Sequence, residues 1–291
     1  MYELQQAGQA TWYIDCPSKI GVCRTASGIY TIDSGNDKDA GRKVRQIFDR
    51  EGWKLDGILS THSHADHVGG NKYLQQQYKC RIYADPIEAA FIEHPVLEPS
   101  YLFGGFAPAD LRHKFLMAPE SQALPLSDAG YPKEIEAVPL PGHYFGQVGY
   151  KTPDDVFFIA DSLCSKETLE KYTITVLYDI AAELKTLDYL ESSSAALYVP
   201  AHAPVSSDIK ELVQMNRAKI FEVRDRILSI CETPVGFDTI LQKIFAGFGL
   251  TMTFEQYALV GSTVKSYLGW MRDAGELDVS FDDNCLLWRK C

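Results

Sequence analysis

The segment Thr61-His62-Ser63-His64-Ala65-Asp66-His67-Val68-Gly69-Gly70 decides how this chain folds and where its chemistry lies. Three of the seven histidines in the 291-residue chain lie within six of these positions. The segment follows residues 55–60, a short apolar run that predicts a buried strand. Imidazole and carboxylate groups are the ligands that Zn²⁺ and related divalent ions prefer. The sequence therefore predicts a metal site at the end of a buried strand.

The spacing within this loop indicates more than one ion. His62 and His64 are two residues apart, so in an extended segment their side chains lie on the same side. Asp66 and His67 then turn toward a second point nearby. A solvated polar turn is the alternative interpretation, but the density of histidines argues against it. One short loop can thus supply ligands to two metal ions.

Three further polar residues each follow an apolar run that predicts a strand. They are His143 after residues 136–140, Asp161 after residues 156–160 and His202 near the end of the last such run. Taken singly, each could be a capping aspartate or a surface histidine. Taken together, they complete the coordination of two ions and bring five of the seven histidines into one scheme.

The composition restricts the class of protein. The chain is 46% hydrophobic and 23% charged, which is typical of a folded globular protein. Its net charge of −11 disfavours binding to a phosphate backbone. The seven cysteines are scattered without a Cys-x-x-Cys pair, which indicates reduced thiols. We find no long apolar run and no signal-like start, so we expect a cytoplasmic protein without a membrane segment.

Residues 94–132 interrupt the alternation of strand and helix patterns with prolines, glycines and aromatic residues. A long stretch with little regular pattern is typical of a functional loop or lid. We expect it to carry the two remaining histidines, His94 and His113, in surface or lid roles. Its apolar side chains are candidates for a substrate pocket or for core packing: Tyr101, Phe103, Phe106, Phe115 and Met117.

Residues 205–291 predict a separate C-terminal helical domain after a catalytic domain of residues 1–204. Their patterns are a long helix over 209–231, three short helices over 238–248, 253–260 and 262–274, and a hairpin over 277–289. This order is typical of a winged helix. The segment has ten basic and twelve acidic residues, a net charge of −2. The charge favours a packing or dimerisation module, or a wall of the active site, over nucleic-acid binding.

Over residues 10–204, the order of these motifs resembles the metallo-β-lactamase superfamily. The motifs are His-x-His-x-Asp-His, Pro-Gly-His, an aspartate after an apolar strand and a histidine near a final strand. The resemblance implies an α+β fold, an αββα sandwich of two sheets with helices outside. It also implies roles for eight residues: His62, His64 and His143 on one ion, Asp66, His67 and His202 on the second, Asp161 as the bridge, and Asp33 supporting the metal loop from behind.

Two details of the motifs disfavour particular branches of the superfamily. Asp161 replaces the cysteine ligand of one antibiotic-destroying class, and His64 stands where diiron flavoproteins usually have glutamate. The pattern is most similar to the hydroxyacylglutathione hydrolase, lactonase and nuclease branches. Residues 205–291 likewise resemble the winged-helix-like domain of some of these hydrolases.

The resemblance implies two divalent ions, with zinc favoured and iron or manganese as alternatives. Two such ions can activate water and polarise the bond that it attacks. We therefore expect hydrolysis of a small ester, thioester or lactone, with Asp66 as the catalytic residue that orients the nucleophile or carries a proton. Tyr144 is a candidate oxyanion donor, although a packing role competes. The alternatives are a nuclease with a nucleic-acid-binding tail and a mononuclear iron sulfur dioxygenase. A homodimer through the tail is compatible with the sequence.

Overall fold

The computed structural model describes residues 2–291. A mixed sheet of seven strands forms the first half of the fold. The first four strands pair as an antiparallel meander, and the later three add in parallel. The order in the sheet follows the chain. The strands are β1 (Glu3–Gln6), β2 (Thr11–Asp15), β3 (Ile20–Thr25), β4 (Gly28–Ile32), β5 (Gly57–Leu59), β6 (Arg81–Ala84) and β7 (Leu124–Pro125).

A second sheet of four strands has the order β11-β10-β9-β8. Its strands are β8 (Glu136–Pro139), β9 (Val148–Lys151), β10 (Val156–Ala160) and β11 (Leu197–Pro200). Because β9 is antiparallel to both of its neighbours, β8, β10 and β11 run in one direction. The residues that follow these three strands therefore emerge at the same edge, where the predicted ligands lie.

Helices cover the outer faces of both sheets. They are α1 (Lys38–Glu51), α2 (Ala65–Val68), α3 (Asn71–Tyr78), α4 (Pro86–Glu93), α5 (Leu97–Phe103), a 3-10 turn (Ala109–Leu111), α6 (Lys166–Tyr172) and α7 (Ile180–Ser192). The first of them begins where the Asp37 carboxylate accepts the N–H groups of Asp39 and Ala40, and it ends at the left-handed Gly52. None of the helices in residues 2–291 has the length and apolar character needed to cross a bilayer.

Three buried clusters show the layering. Side chains of both sheets meet between them, among them Ile32, Leu59 and Phe158. The outer face of the first sheet packs on α1 and α3, and the outer face of the second packs on α7 and the C-terminal helices. The expected α+β class and αββα sandwich are confirmed.

The C-terminal segment contains α8 (Lys210–Ile230), α9 (Phe237–Gly247), α10 (Phe254–Asp273) and the hairpin β12 (Leu277–Asp282) and β13 (Cys285–Lys290). The prediction of two short helices over 253–260 and 262–274 was wrong, because α10 runs through both. Gly261 alone costs a helix only about 1 kcal/mol, and buried residues on either side of it, Val260 and Val264, keep one continuous packed face. The winged-helix assignment and the boundary at residue 204 stay predictions.

The structure agrees with the prediction of little regular structure in residues 94–132, since its elements cover 12 of these 39 residues, and the lid role stays a prediction. This segment contains α5, the 3-10 turn and β7. Leu102, Leu111 and Leu116 from it form a small core with Ala258 of α10. The segment is therefore anchored on the C-terminal helices, and the sequence pattern missed this because its helices are short and lie between prolines.

Candidate metal centre

The first group of ligand atoms, here called the nitrogen cluster, consists of His62 Nε2, His64 Nδ1 and His143 Nε2. His64 Nδ1 lies 3.0 Å from His62 Nε2 and 3.0 Å from His143 Nε2. Two nitrogens that each bind Zn²⁺ at about 2.0–2.1 Å can be at most about 4.2 Å apart. The three nitrogens therefore converge as ligands of a single ion would.

The second group, here called the carboxylate cluster, consists of Asp66, His67 and His202. Asp66 Oδ2 lies 3.1 Å from His202 Nε2 and 3.6 Å from His67 Nε2. Ligand atoms of these three residues all lie within 4.8 Å of one another. The turn of α2 brings Asp66 and His67 to this second point, as the loop spacing predicts.

Asp161 lies between the two clusters. Its Oδ1 is 3.0 Å from His67 Nε2, and its Oδ2 is 3.6 Å from His143 Nε2 and 3.4 Å from His202 Nε2. One carboxylate thus faces a member of the nitrogen cluster and two members of the carboxylate cluster. The structure brings all seven predicted ligand residues together.

Asp33 supports the carboxylate cluster from behind. Its carboxylate accepts hydrogen bonds from the backbone N–H and the hydroxyl of Thr61 and from His67 Nδ1, each at 2.8 Å. The bond to Nδ1 fixes the His67 tautomer that leaves Nε2 free to bind an ion. Asp33 has φ +63°, a left-handed conformation that costs energy and is typical of functional sites.

Close backbone packing holds the two ligand loops in place. A Cβ at Gly70 would overlap the carbonyl oxygen of Ser34, and one at Gly142, where φ is +135°, would overlap the backbone of Glu183. Ala160, directly before Asp161, has φ +48° at a register shift between β10 and β11. These features direct the side chains after each strand toward one point.

Two contacts from the turn between β2 and β3 complete the carboxylate cluster. The Ser18 hydroxyl donates to Asp66 Oδ2 at 2.7 Å, and His202 Nδ1 donates to the Pro17 carbonyl at 3.1 Å. The second bond directs His202 Nε2 toward the aspartates. Sequence reasoning missed this turn because its residues carry no ligand pattern.

Two buried glutamates were also missed. Glu88 accepts the N–H groups of Ser63 and Gly146 at 2.8 and 2.7 Å, so it links the loop of His62 and His64 to the loop that follows His143. Burial raises the pKa of Glu88 to about 7. A signal for both glutamates exists in the sequence. Each stands four residues before a buried apolar residue, Ile92 for Glu88 and Leu102 for Glu98, so each acid shares the inward face of a short helix.

Glu98 lies against the nitrogen cluster. Its Oε1 is 3.6 Å from His64 Nε2, and it accepts a hydrogen bond from the Tyr144 hydroxyl. The rings of Tyr144 and His64 pack with their centroids 4.2 Å apart. The hydroxyl of Tyr144 is thus engaged by Glu98, and the oxyanion role, which stays a prediction, would require it to leave that partner.

The electrostatics of the clusters fit divalent ions. Burial lowers the pKa of His62 and brings that of His64 to about 3, so both imidazoles keep a free lone pair at neutral pH. The Asp161 carboxylate raises the pKa of His202 to about 10. This rise reflects a negative electrostatic potential at the position that a metal cation would occupy. His67 Nε2 and Asp161 Oδ1 are buried 3.0 Å apart, and within residues 2–291 neither atom makes a hydrogen bond of good geometry. Orphaned ligand atoms and this donor set are what a metal ion satisfies.

A cavity of about 570 Å³ opens onto the ligands. His64, His143, Asp161 and His202 line one end of it, and residues of α6, of the segment after α6 and of α10 line the rest. The aromatic and apolar residues proposed for the pocket lie outside this lining: Tyr101, Phe103, Phe106, Phe115 and Met117. Three of them, the phenylalanines, are exposed. His113 pairs with Glu255, and His94 ends α4, so both lie outside the clusters, as expected.

Comparison with known proteins is consistent with this centre. The family model of the metallo-beta-lactamase superfamily matches residues 16–202. The chain is 33% identical over 118 residues to a hydroxyacylglutathione hydrolase from Rhodopseudomonas palustris, covering 40% of this chain and 37% of that protein. It is 24% identical over 227 residues to a hydroxyacylglutathione hydrolase from Shewanella loihica, covering 74% and 75%. A hydroxyacylglutathione hydrolase from Nitrobacter hamburgensis is 59% identical over only 41 residues, 16% of that protein, so this match and the one to the Rhodopseudomonas palustris protein each span less than half of the relative's length.

Solved structures share the fold over nearly the whole chain. A beta-lactamase domain protein from Burkholderia ambifaria has a TM-score of 0.74 at 18% identity, covering 99% of this chain and 94% of that one. A metallo-beta-lactamase family protein from Thermus thermophilus has a TM-score of 0.72 at 15% identity, covering 97% and 99%. At these identities the likeness concerns the fold alone.

Proposed function

Since this chain belongs to the metallo-beta-lactamase superfamily, we propose that it is a metal-dependent hydrolase that cleaves a small ester, thioester or lactone at two divalent ions. The observation that carries the proposal is the position of Asp161, whose two oxygens face both ligand clusters. The nitrogen cluster would hold one ion, the carboxylate cluster the other, and Asp161 both. Nitrogen-rich sites favour zinc, with iron or manganese as alternatives.

In this proposal the protein supplies orientation and proton transfer. Ions held here would polarise the scissile carbonyl and lower the pKa of water to about 7. Water adds to the acyl carbon, the bond to the leaving oxygen or sulfur breaks, and the leaving group takes up a proton. Asp66 is the candidate to orient the water or to carry that proton, because its side chain is 41% exposed and Ser18 and His202 fix one of its oxygens.

We further propose that residues 205–291 form a wall of the active site. Gln256, Leu259, Val260 and Thr263 of α10 line the cavity that opens onto the ligands. The segment carries more acidic than basic residues, which does not favour a phosphate backbone. The geometry therefore supports a small-molecule substrate over nucleic acid.

The test is purification without chelator, metal analysis, and assay against esters, thioesters, lactones and single-stranded RNA. We expect about two ions per chain and hydrolysis of an acyl substrate. Asp161→Asn should lose at least one ion and most of the activity, whereas the control Asp154→Asn, which removes a charge outside both clusters and keeps an acceptor for the Ala10 N–H, should lose neither. RNA cleavage that depends on His64 would replace the proposal by a nuclease, and a single iron per chain would favour a dioxygenase.

A further inference from the structure

Four aliphatic side chains line part of the cavity beside the ligands, interspersed with polar residues of the same elements. Ile174 and Val176, in the segment after α6, and Leu259 and Val260 of α10 contribute aliphatic side chains to it. The other end of the cavity is formed by ligand residues of both clusters. The volume of about 570 Å³ lies within the range of pockets that enclose small organic ligands. A substrate with its reacting group at the ligands therefore has an aliphatic surface within reach.

The charges around the cavity argue against a polyanionic substrate. Apart from the ligands, its charged lining residues within the described chain are Lys171 and Glu167, one of each sign on α6. The Lys171 ammonium also donates to the Tyr172 hydroxyl at 2.9 Å. Carboxylates and phosphates of a bound ligand are typically held by several charge-assisted hydrogen bonds, above all from arginine. The lining thus suits an uncharged group better than a peptide-like or nucleotide-like carrier.

The aliphatic wall is held in place rather than loosely apposed. Thr263 Oγ1 accepts the N–H of Leu177 at 3.3 Å, and the Ser262 hydroxyl donates to the Tyr101 hydroxyl at 3.1 Å. These bonds join α10 to the segment after α6 and to α5. A wall fixed before the substrate arrives loses little entropy on binding, so its apolar area contributes to affinity.

We propose that the substrate of this enzyme is a neutral ester, thioester or lactone whose acyl part carries an aliphatic chain, and that the chain packs on the wall formed by Ile174, Val176, Leu259 and Val260. This inference rests on the proposed function and names its substrate class. Hydrolysis would release an aliphatic carboxylic acid and an alcohol or thiol, or a hydroxy acid from a lactone. Each methylene buried on the wall is expected to raise kcat/KM about fourfold until the cavity is filled.

The first measurement is a chain-length series. Acetyl to octanoyl p-nitrophenyl esters and the matching N-acetylcysteamine thioesters are assayed with metal-loaded enzyme, and kcat/KM is compared along each series. In parallel, calorimetry records the binding of the matching unreactive primary amides. We expect both kcat/KM and amide affinity to rise with chain length.

A matched pair of variants assigns the effect to the wall. Leu259→Trp fills the cavity beside a half-buried position, whereas Leu212→Trp makes the same change at a half-buried position of α8 that packs on the C-terminal core and does not line the cavity. We expect Leu259→Trp to abolish the gain beyond short chains in both series, whereas Leu212→Trp should keep the chain-length dependence of the wild type. Val176→Thr, which is nearly isosteric, should lower kcat/KM for the longest substrates about threefold. This smaller change tests the wall even if the tryptophan variant does not fold.

The outcomes separate the inference from the proposed function. Flat series in the wild type, or equal loss in Leu259→Trp and Leu212→Trp, would overturn the aliphatic substrate. An amide series that rises with length, without hydrolysis of any ester or thioester, would overturn the proposed function while supporting the aliphatic site. A rise in both series that Leu259→Trp alone removes would support both.

Discussion

The two ligand clusters draw on the same short loop but differ in charge and exposure. His62 of the nitrogen cluster is fully buried, and the side chains of His64 and His143 are 16% and 9% exposed. In the carboxylate cluster, His67 is also fully buried, but the side chains of Asp66 and His202 are 41% and 29% exposed. The first cluster is a closed set of neutral imidazoles, and the second is an open set in which imidazoles face carboxylates.

This difference indicates a division of labour. Burial keeps His62, His64 and His143 uncharged, so the nitrogen cluster is ready to bind an ion at neutral pH. In the carboxylate cluster, the metal-free protein holds protons on His67 and His202 because Asp161 and Asp66 attract positive charge. We expect the nitrogen cluster to anchor the centre and the carboxylate cluster to exchange protons and ions with the solvent.

The largest expected effect comes from breaking each cluster in turn. His143→Ala should lose the anchoring ion and reduce kcat/KM by at least about 1,000-fold, since a polarising ion contributes several kcal/mol to the transition state. His202→Ala should retain close to one ion per chain and lose less activity. Metal analysis and kinetics of the two variants test this, with His113→Ala, outside both clusters, as the control. Equal metal loss in both variants would contradict the division.

A change of pH should separate the clusters next. Asp161 raises the pKa of His202 to about 10 and also raises that of His67, so an ion entering the carboxylate cluster must displace a proton from each histidine. Its affinity should therefore fall at least about tenfold per pH unit on acidification. The pKa of His64 is about 3, so between pH 8 and 6 the nitrogen cluster faces little competition from protons. Competition titrations with a chromophoric chelator should show one affinity falling at least about 100-fold and the other nearly constant. Parallel declines would contradict the comparison.

The raised pKa of His202 also affects the stability of the metal-free protein, which should fall as the pH rises, whereas the affinity for the second ion should increase. A folded-state pKa of about 10, above the ordinary 6.5 of histidine, adds stability that is fully present below pH 6.5 and is lost as the pH rises through 10. Chelated protein should therefore unfold at a lower urea concentration at pH 10 than at pH 6.5. In His202→Ala this decline should be smaller.

The ligand residues could be predicted from the sequence because they follow strands. Many of the residues that hold these ligands in place could not be predicted. Asp161 comes directly after β10 and His143 comes four residues after the end of β8, and the carboxyl ends of strands that run in one direction meet at one edge of the sheet. Glu88 and Glu98 reach the site from short helices whose position depends on tertiary packing. Their only local signal is an acid on an apolar helix face, and that pattern is weaker than the histidine loop.

The cavity shows a second limit of sequence reasoning. The aromatic stretch over residues 94–132 has the composition of a pocket, yet the cavity lining comes from α6, the segment after it and α10. Leu259 and Val260 lie more than fifty residues after the last predicted ligand, His202. Only the packing of α10 against the catalytic region brings them to the site. Long-range contacts of this kind leave no periodic pattern in the sequence.

Asp33 offers a smaller perturbation that acts directly on the carboxylate cluster and reaches the nitrogen cluster only through the Thr61 hydroxyl, which lies 3.0 Å from His62 Nδ1. Asp33→Asn keeps the shape and tolerates the left-handed backbone, but it removes the charge that holds His67 Nδ1. Loss of such a supporting group typically weakens metal affinity 10- to 100-fold. We expect that loss for the second ion and little change for the first, as measured by competition titration. Asp154→Asn is the matched control, and weakening of the first ion to the same extent would contradict the prediction.

The smallest expected effect concerns the nitrogen cluster and Glu98. The Glu98 carboxyl faces His64 Nε2 and accepts from Tyr144, so it orients the ring that presents Nδ1 to the first ion. Glu98→Leu should weaken the first ion about tenfold, at the lower end of the effect of a supporting group, because the histidine remains. Glu98→Gln keeps an acceptor and should restore most of that affinity.

Tyr144→Phe serves as the control for Glu98, because it removes the hydrogen bond to the glutamate and leaves the carboxyl beside His64. Its first-ion affinity should stay near that of the wild type. If Glu98→Gln binds the first ion as weakly as Glu98→Leu does, then the charge of Glu98 matters and its hydrogen-bond acceptor does not. If Glu98→Leu instead weakens the second ion, the two clusters are coupled through the shared loop, because Glu98 contacts His64 and not the carboxylate cluster. That result would end the division between an anchoring cluster and an exchanging one.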